Sequence, residues 1–268
     1  PTDWTDVADL NYDATGMREA MIAEMDWWVA NAGIDGFRCD VAGFVPIDFW
    51  NTAITTLRAN NGPLFMLAEW EDPALIEAGF NAVYGWEFHH IMNEVAKGHK
   101  SVSAIAEYAA KCDTVWPTET MKMYFNTNHD ENSWNGTVEE RMGDLGNAMY
   151  ILASMMKRSF PLIYSGQEAG LNHRYPFFSK DTVGLDWSKS HAQSDFFAQM
   201  LALKHEHQAL FNGARCSGSE RWGALLRKGA TGRIAQEASH GARCSGGKRA
   251  TGRDAQEASH GARCSGSE

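Results

Sequence analysis

The sequence predicts an α/β fold built on a parallel sheet, and three observations carry that reading. Strand-like apolar runs alternate with helix-like segments along the chain. The runs are continuously apolar rather than alternating, as in strands covered on both faces. Each strong run also ends, at its C-terminal end, on residues that can do chemistry: Asp40, Glu69, the His129/Asp130 pair and the Gln167/Glu168 pair. Active sites form along that edge of parallel sheets. One such ending is commonplace, but four in register are hard to attribute to salt bridges alone.

Residues 1–15 read as irregular. Met21, Met25, Trp28 and Val29, with Ile22 beside them, predict a helix over 17–32 that Gly33 stops. A strand over 34–40 follows and ends in Gly36-Phe37-Arg38-Cys39-Asp40, where period-2 geometry puts Arg38 and Asp40 on one face. A helix over 48–60 carries Phe49, Ala53, Ile54 and Leu57 on one side and breaks at Asn61-Gly62-Pro63. The apolar run 64–68 is the second strand and leads into Glu69. A short helix over 73–78, a weaker strand over 82–85 and helices over 87–98 and 102–111 lead to a strand over 123–126. That strand opens into Thr127-Asn128-His129-Asp130-Glu131-Asn132. One long helix is expected over 139–157, then a strand over 160–164 ending in Ser165-Gly166-Gln167-Glu168, and a last helix over 193–210.

The end of the chain differs in kind. The segment 235–246 recurs as 255–266, and 213–220 reappears as 261–268. After Leu226 the one large aliphatic residue is Ile234. Such a composition cannot bury enough surface to offset chain entropy, and the repeats are too few for a solenoid. Two regions are therefore expected: a globular body over 1–212, and a repetitive tail over 213–268 that is disordered or artefactual.

Charge divides the chain in the same place. The tail carries ten Lys/Arg against five Asp/Glu, whereas the body carries 14 against 29. An acidic body argues against nucleic acid as a partner. No apolar run reaches the roughly 18 residues of a membrane-spanning helix, so no membrane partner is expected. The five cysteines show no metal-binding spacing. With Pro1 at the start, localisation stays open, as does oligomeric state.

The strand-end acids differ in surroundings. Arg38 should keep Asp40 ionised. Glu69 closes an apolar run and precedes Trp70, and low polarity favours its protonated form. Asp130 lies beside His129, with Asn128 and Asn132 as donors. An ionised carboxylate opposite a protonated one is the arrangement of a retaining glycosidase, with an expected separation of about 5–5.5 Å. A divalent metal held by Asp and Glu, with His129 as base, is the competing chemistry.

These residues resemble the α-amylase family of glycoside hydrolases. The resemblance lies in Asp9-Leu10-Asn11, Gly36-Phe37-Arg38-Cys39-Asp40-Val41-Ala42, Leu67-Ala68-Glu69-Trp70, Phe125-Asn126-Thr127-Asn128-His129-Asp130 and Pro161-Leu162-Ile163-Tyr164-Ser165-Gly166-Gln167-Glu168, in the family's order. It implies a partial (β/α)8 TIM barrel, corresponding to strands four to eight. It implies Asp40 as nucleophile, Glu69 as general acid/base and Asp130 as transition-state stabiliser. Arg38 would orient Asp40, and His129, Trp70 and Asn128 would meet the substrate. The implied partner is an α-glucan or malto-oligosaccharide. No cofactor is required by the sequence and no metal ligand is assigned, although calcium is common in the family and stays open.

Three features depart from the family pattern. Its earliest motif, an Asp–His pair, is absent, so the chain is expected to be a fragment whose open sheet edges fold poorly alone. Gly43 and Phe44 stand where many members have Lys-His, which leaves an α-glucosidase or a glucan transglycosylase beside an amylase. The repeats replace the usual C-terminal β-sandwich. A non-catalytic glucan-binding relative is the alternative of another class.

The remaining candidates are weighed by spacing. Met21, Met25, Trp27 and Trp28 read as core. Trp70, Trp86 and Trp134 stand near strand ends or in loops, where packing and a sugar subsite are both open. Adjacent helical residues do not face each other, so His89 and His90 read as one packed and one exposed. Cys39 alternates away from Asp40 and reads as a buried apolar residue.

Overall fold

The computed structural model describes residues 7–189, 191–207 and 210. The repetitive tail, and residues 208 and 209 of the last expected helix, lie outside the described residues. Five strands pair in sequence order, all parallel: β1 (Gly36–Cys39), β2 (Phe65–Ala68), β3 (Ala82–Tyr84), β4 (Met121–Tyr124) and β5 (Ser159–Pro161). The connections carry α2 (Ile47–Asn61), α3 (Pro73–Glu77), α4 (Trp86–Ala96), α5 (Ser103–Val115), α6 (Val138–Met142) and α7 (Gly146–Met155); α1 (Thr15–Ala32) precedes β1 and α8 (Ala192–Glu206) follows β5.

The sheet is strongly curved. Neighbouring strands lie about 4.8 Å apart, so in a flat sheet β2 and β5 would be separated by about 14 Å. Yet the rings of Phe65 on β2 and Phe160 on β5 meet edge to face at 5.8 Å. The concave face holds Leu67, Ala82, Tyr84, Met123 and Phe125 in one cluster. The convex face alternates with it: Met66, Ala68 and Val83 pack with α2 and α3, and Tyr124 packs with α4, α5 and α7. Strands buried on both faces explain the continuous apolar runs. The curvature is that of a barrel wall, as the resemblance implies.

Gly36 shows how tightly the first pair closes. A Cβ on Gly36 would fall 1.9 Å from the carbonyl oxygen of Phe65, its partner in register. Gly36→Ala is expected to cost about 1–3 kcal/mol, read as a lower urea midpoint.

Two expectations fail. The long helix over 139–157 is two helices joined by a 3-10 turn, because Gly143 adopts φ 52° after α6 and breaks the ladder. Trp27 and Trp28 are not core residues; each is about half exposed, at 51%. Arg18 pairs with Asp48 near the start of α2, and Asp26 with Asn61 at its end. The last turn of α1 therefore runs past the end of α2, and the two indoles pack on each other at 5.2 Å. Met21, Ile22 and Met25, one turn earlier, do reach the core.

Candidate active site

The concave sheet gathers the strand-end residues. β1 stops at Cys39, and period-2 alternation buries Cys39 outward while Arg38 points to the inner side. Burial pushes the Cys39 thiol up to about 12, which makes it inert. The chain then leaves the sheet sharply, because Val41 takes a left-handed conformation at φ 43°. A β-branched residue is rarely found there, and such a conformation costs about 1–3 kcal/mol. The turn aims the Val41 amide at Glu69, donating to Oε2 at 3.0 Å.

Arg38 is the hub. Its Nη1 donates to Asp40 Oδ1, its Nη2 reaches Glu69 Oε1 at 2.5 Å, and its Nε donates to the Tyr84 hydroxyl at 3.1 Å. One planar fork thus holds groups from β1, β2 and β3, a geometry that lysine lacks. The two carboxyls respond in opposite directions. Burial works against ionisation of Asp40, but the hydrogen bond and charge of Arg38 outweigh it and hold the group below the usual carboxylate range. Glu69 is only 8% exposed. Its desolvation outweighs Arg38 and the Val41 amide, and its carboxyl is pushed up to about 7.

The loop after β4 completes the group. Glu69, His129 and Asp130 each present an atom within 4.8 Å of the others. His129 Nε2 lies 3.4 Å from Asp130 Oδ2. Asn128 is buried and shapes this loop, its Oδ1 accepting from the Glu131 amide at 2.8 Å. Glu131 is itself buried, with His89 Nε2 at 2.9 Å and Asn135 donating at 3.1 Å. His89 Nδ1 lies 3.2 Å from Phe125 O, and desolvation lowers the pKa of the ring against the opposing pull of Glu131. His90, by contrast, is exposed.

Trp70 stands against Gly43, whose added Cβ would fall 2.2 Å from the indole, and its ring meets Phe44 at 5.0 Å. The residues that replace Lys-His therefore make room for Trp70. Trp86 packs into the sheet, 5.0 Å from Phe125. Gln167 ties the strand ends together, donating to Asn126 Oδ1 at 2.6 Å. Sequence reasoning missed three contributors: Tyr84, the Val41 turn and the burial of Glu131 on His89. Tyr84 closes the weakest strand, and its position beside Arg38 depends on sheet curvature that no local pattern encodes.

The Glu69–His129–Asp130 group does not fit calcium. Calcium takes six to eight oxygens; this group offers two carboxylates and an imidazole, with a guanidinium already on Glu69.

Comparison with known proteins agrees with this architecture. A family model described as the alpha amylase catalytic domain matches residues 2–211. Alpha-amylase MalA of Haloarcula japonica is 23% identical over 212 residues, covering 78% of this chain and 30% of the relative. A cyclomaltodextrinase of a Bacillus species is 23% identical over 216 residues, covering 76% of this chain and 38% of the relative. Among solved structures, an alpha-amylase from Lactobacillus plantarum superposes with a TM-score of 0.67 at 25% identity, over 78% of this chain and 52% of that one. A maltogenic alpha-amylase, AmyB from Thermotoga neapolitana, does so at 0.63 and 27% identity, over 75% and 47%. The chain thus spans about a third to a half of the length of these relatives.

Proposed function

We propose, because the chain belongs to the alpha-amylase catalytic-domain family, that its strand-end acids serve a retaining hydrolase of α-glucosidic bonds in starch- or maltodextrin-like glucans. The single observation that carries this reading is the opposed pair on Arg38: Asp40 held ionised and Glu69 pushed up to about 7. In the first step Glu69 gives its proton to the glycosidic oxygen while Asp40 attacks the anomeric carbon. The C–O bond to the leaving sugar breaks and a glycosyl ester forms on Asp40. In the second step ionised Glu69 takes a proton from water, the water oxygen attacks the same carbon, and Asp40 leaves as carboxylate. Asp130 and His129, beside Glu69, hold sugar hydroxyls and offset the positive charge that develops on the ring. Asn128, Trp70 and Arg38 shape the site around them. The activity is proposed for the protein in which further strands close the sheet beyond β1 and β5.

Incubation with a mechanism-based fluoroglucoside followed by peptide mass spectrometry is expected to find the adduct on Asp40. An adduct elsewhere, or turnover without one, would remove the double-displacement reading. Gly43 and Phe44 pack against Trp70 where the family resemblance expects Lys-His, so α-glucosidase or transglycosylase action is the second reading. Product analysis at high maltose separates the two, since transfer lengthens oligosaccharides and hydrolysis does not.

Arg38→Lys tests the hub. A single ammonium cannot hold both carboxyls and Tyr84, so the pKa of Asp40 should rise. The acid limb of the pH–rate profile is then expected to move to higher pH, with the alkaline limb still present. An unmoved acid limb would separate Arg38 from the ionisation of Asp40.

A further inference from the structure

We infer that Trp134, Phe177 and Phe178 form a sugar-stacking platform beside the proposed cleavage point and bind a glucose ring of a malto-oligosaccharide. The substrate class rests on the function proposed above; the platform itself rests on separate observations.

The first is exposure. Trp134 is 56% exposed, Phe178 74% and Phe177 39%. They are neighbours, with Phe177 5.0 Å from Trp134 and 4.8 Å from Phe178, ring to ring. A cluster of exposed aromatic rings marks a binding surface more often than a single exposed one does. Of the three tryptophans near strand ends, Trp70 covers Gly43 and Trp86 packs on Phe125, which leaves Trp134 with its ring open to solvent.

The second is continuity with the acids. The Phe177 ring stacks on His129 at 6.0 Å and 26°. His129 is one of the three residues gathered around Glu69. The aromatic surface therefore begins where the proposed site ends, and a chain of linked sugars could lie on both.

The third is rigidity. Trp134 sits in a π-helical turn, Glu131–Asn135, a local geometry frequent at functional sites. The loop after β5 is laced to this turn by four hydrogen bonds. Asn132 donates to His173 O at 2.9 Å and accepts from the Tyr175 amide at 2.8 Å. Arg174 donates to Ser133 O at 2.9 Å and to Trp134 O at 2.7 Å. Segments from two strands thus present their rings in a fixed arrangement, and preorganised groups lose little on binding. A pyranose ring has a face of C–H groups and a rim of hydroxyls. The open aromatic faces suit the first, and the polar strand-end groups suit the second.

The test is maltoheptaose binding to the 268-residue chain carrying Glu69→Gln, followed by titration calorimetry. Trp134→Ala and Phe178→Ala are each expected to weaken binding by about tenfold, with an unchanged circular dichroism spectrum. Trp27→Ala, which removes an equally exposed indole from α1, is expected to leave binding unchanged. Equal affinity in the Trp134 variant and its parent, or no binding by the parent, would overturn the proposal. So would a result in which the aromatic variants change only self-association in light scattering, which would make the patch a contact between copies. Turnover is read separately on the protein with a closed barrel and Glu69 intact. Sugar binding that depends on Trp134 without turnover would remove the catalytic reading and keep the platform. Turnover with binding indifferent to Trp134 would do the reverse.

Discussion

Glu69→Gln is expected to lower kcat on malto-oligosaccharides by about 10²–10⁴-fold in the protein with a closed barrel, the usual worth of a positioned general acid. Asp40→Asn should cost at least as much, because it removes the bond-forming atom rather than a proton. An activated leaving group separates the two roles. A nitrophenyl glucoside needs no proton for departure, so the Glu69 variant should recover its first step and accumulate the glycosyl ester. The Asp40 variant should stay inactive on both substrates. The pH profile adds a second signature. Turnover needs Asp40 ionised and Glu69 protonated. With Glu69 pushed up to about 7, activity should fall as pH rises through about 7. With Asp40 held below the usual carboxylate range by Arg38, the acid limb should lie at low pH. In Glu69→Gln the alkaline limb should vanish. Full activity in either variant would remove the assignment.

Much of this site was legible in the sequence because its chemistry sits at the ends of apolar runs. The parallel pairing of β1 to β5 follows from continuous burial, and strand ends on one edge follow from parallel pairing. The opposite surroundings of Asp40 and Glu69 were legible too, since Arg38 lies two residues from one and an apolar run precedes the other. What local pattern could not carry is curvature. Arg38 meets Tyr84 two strands away, and Glu69 just after β2 approaches His129 and Asp130 beyond β4, only because the sheet curls. Helix ends were misjudged for related reasons. The apolar period over 139–157 continues through Gly143, but the backbone there does not. Trp28 keeps the helical spacing of Met21 and Met25, yet α2 ends before it can cover the indole. Spacing defines a face; it does not say how far the neighbouring element extends.

The same burial that equips Glu69 as an acid should make the fold less stable in alkaline solution, and Glu69→Gln should reverse that. The ordinary value of 4.5 applies to the unfolded chain, and the folded value is about 7. Below 4.5 both states hold the proton, and the favourable burial of the neutral carboxyl is fully present. Between these values the folded state alone keeps the proton, so stability declines as pH rises and the contribution is lost through about 7. The slope has an upper bound of about 1.4 kcal/mol per pH unit, reduced by solvent on the open side of the site. Asp40 acts in the opposite sense: its lowered value gives stability above the unfolded pKa that is lost as pH falls. Glutamine resembles the neutral acid in shape. Its single oxygen can accept from Arg38 or from the Val41 amide, which meet different oxygens of Glu69, and it has no proton to lose. Urea midpoints of the parent should therefore fall between pH 5 and 8, while those of Glu69→Gln stay level, with the variant the more stable above pH 7. A variant that gains stability while losing turnover would mark Glu69 as a group kept for chemistry at a cost to the fold. Parallel curves would place the alkaline loss in another group and undercut the burial argument for its acid role.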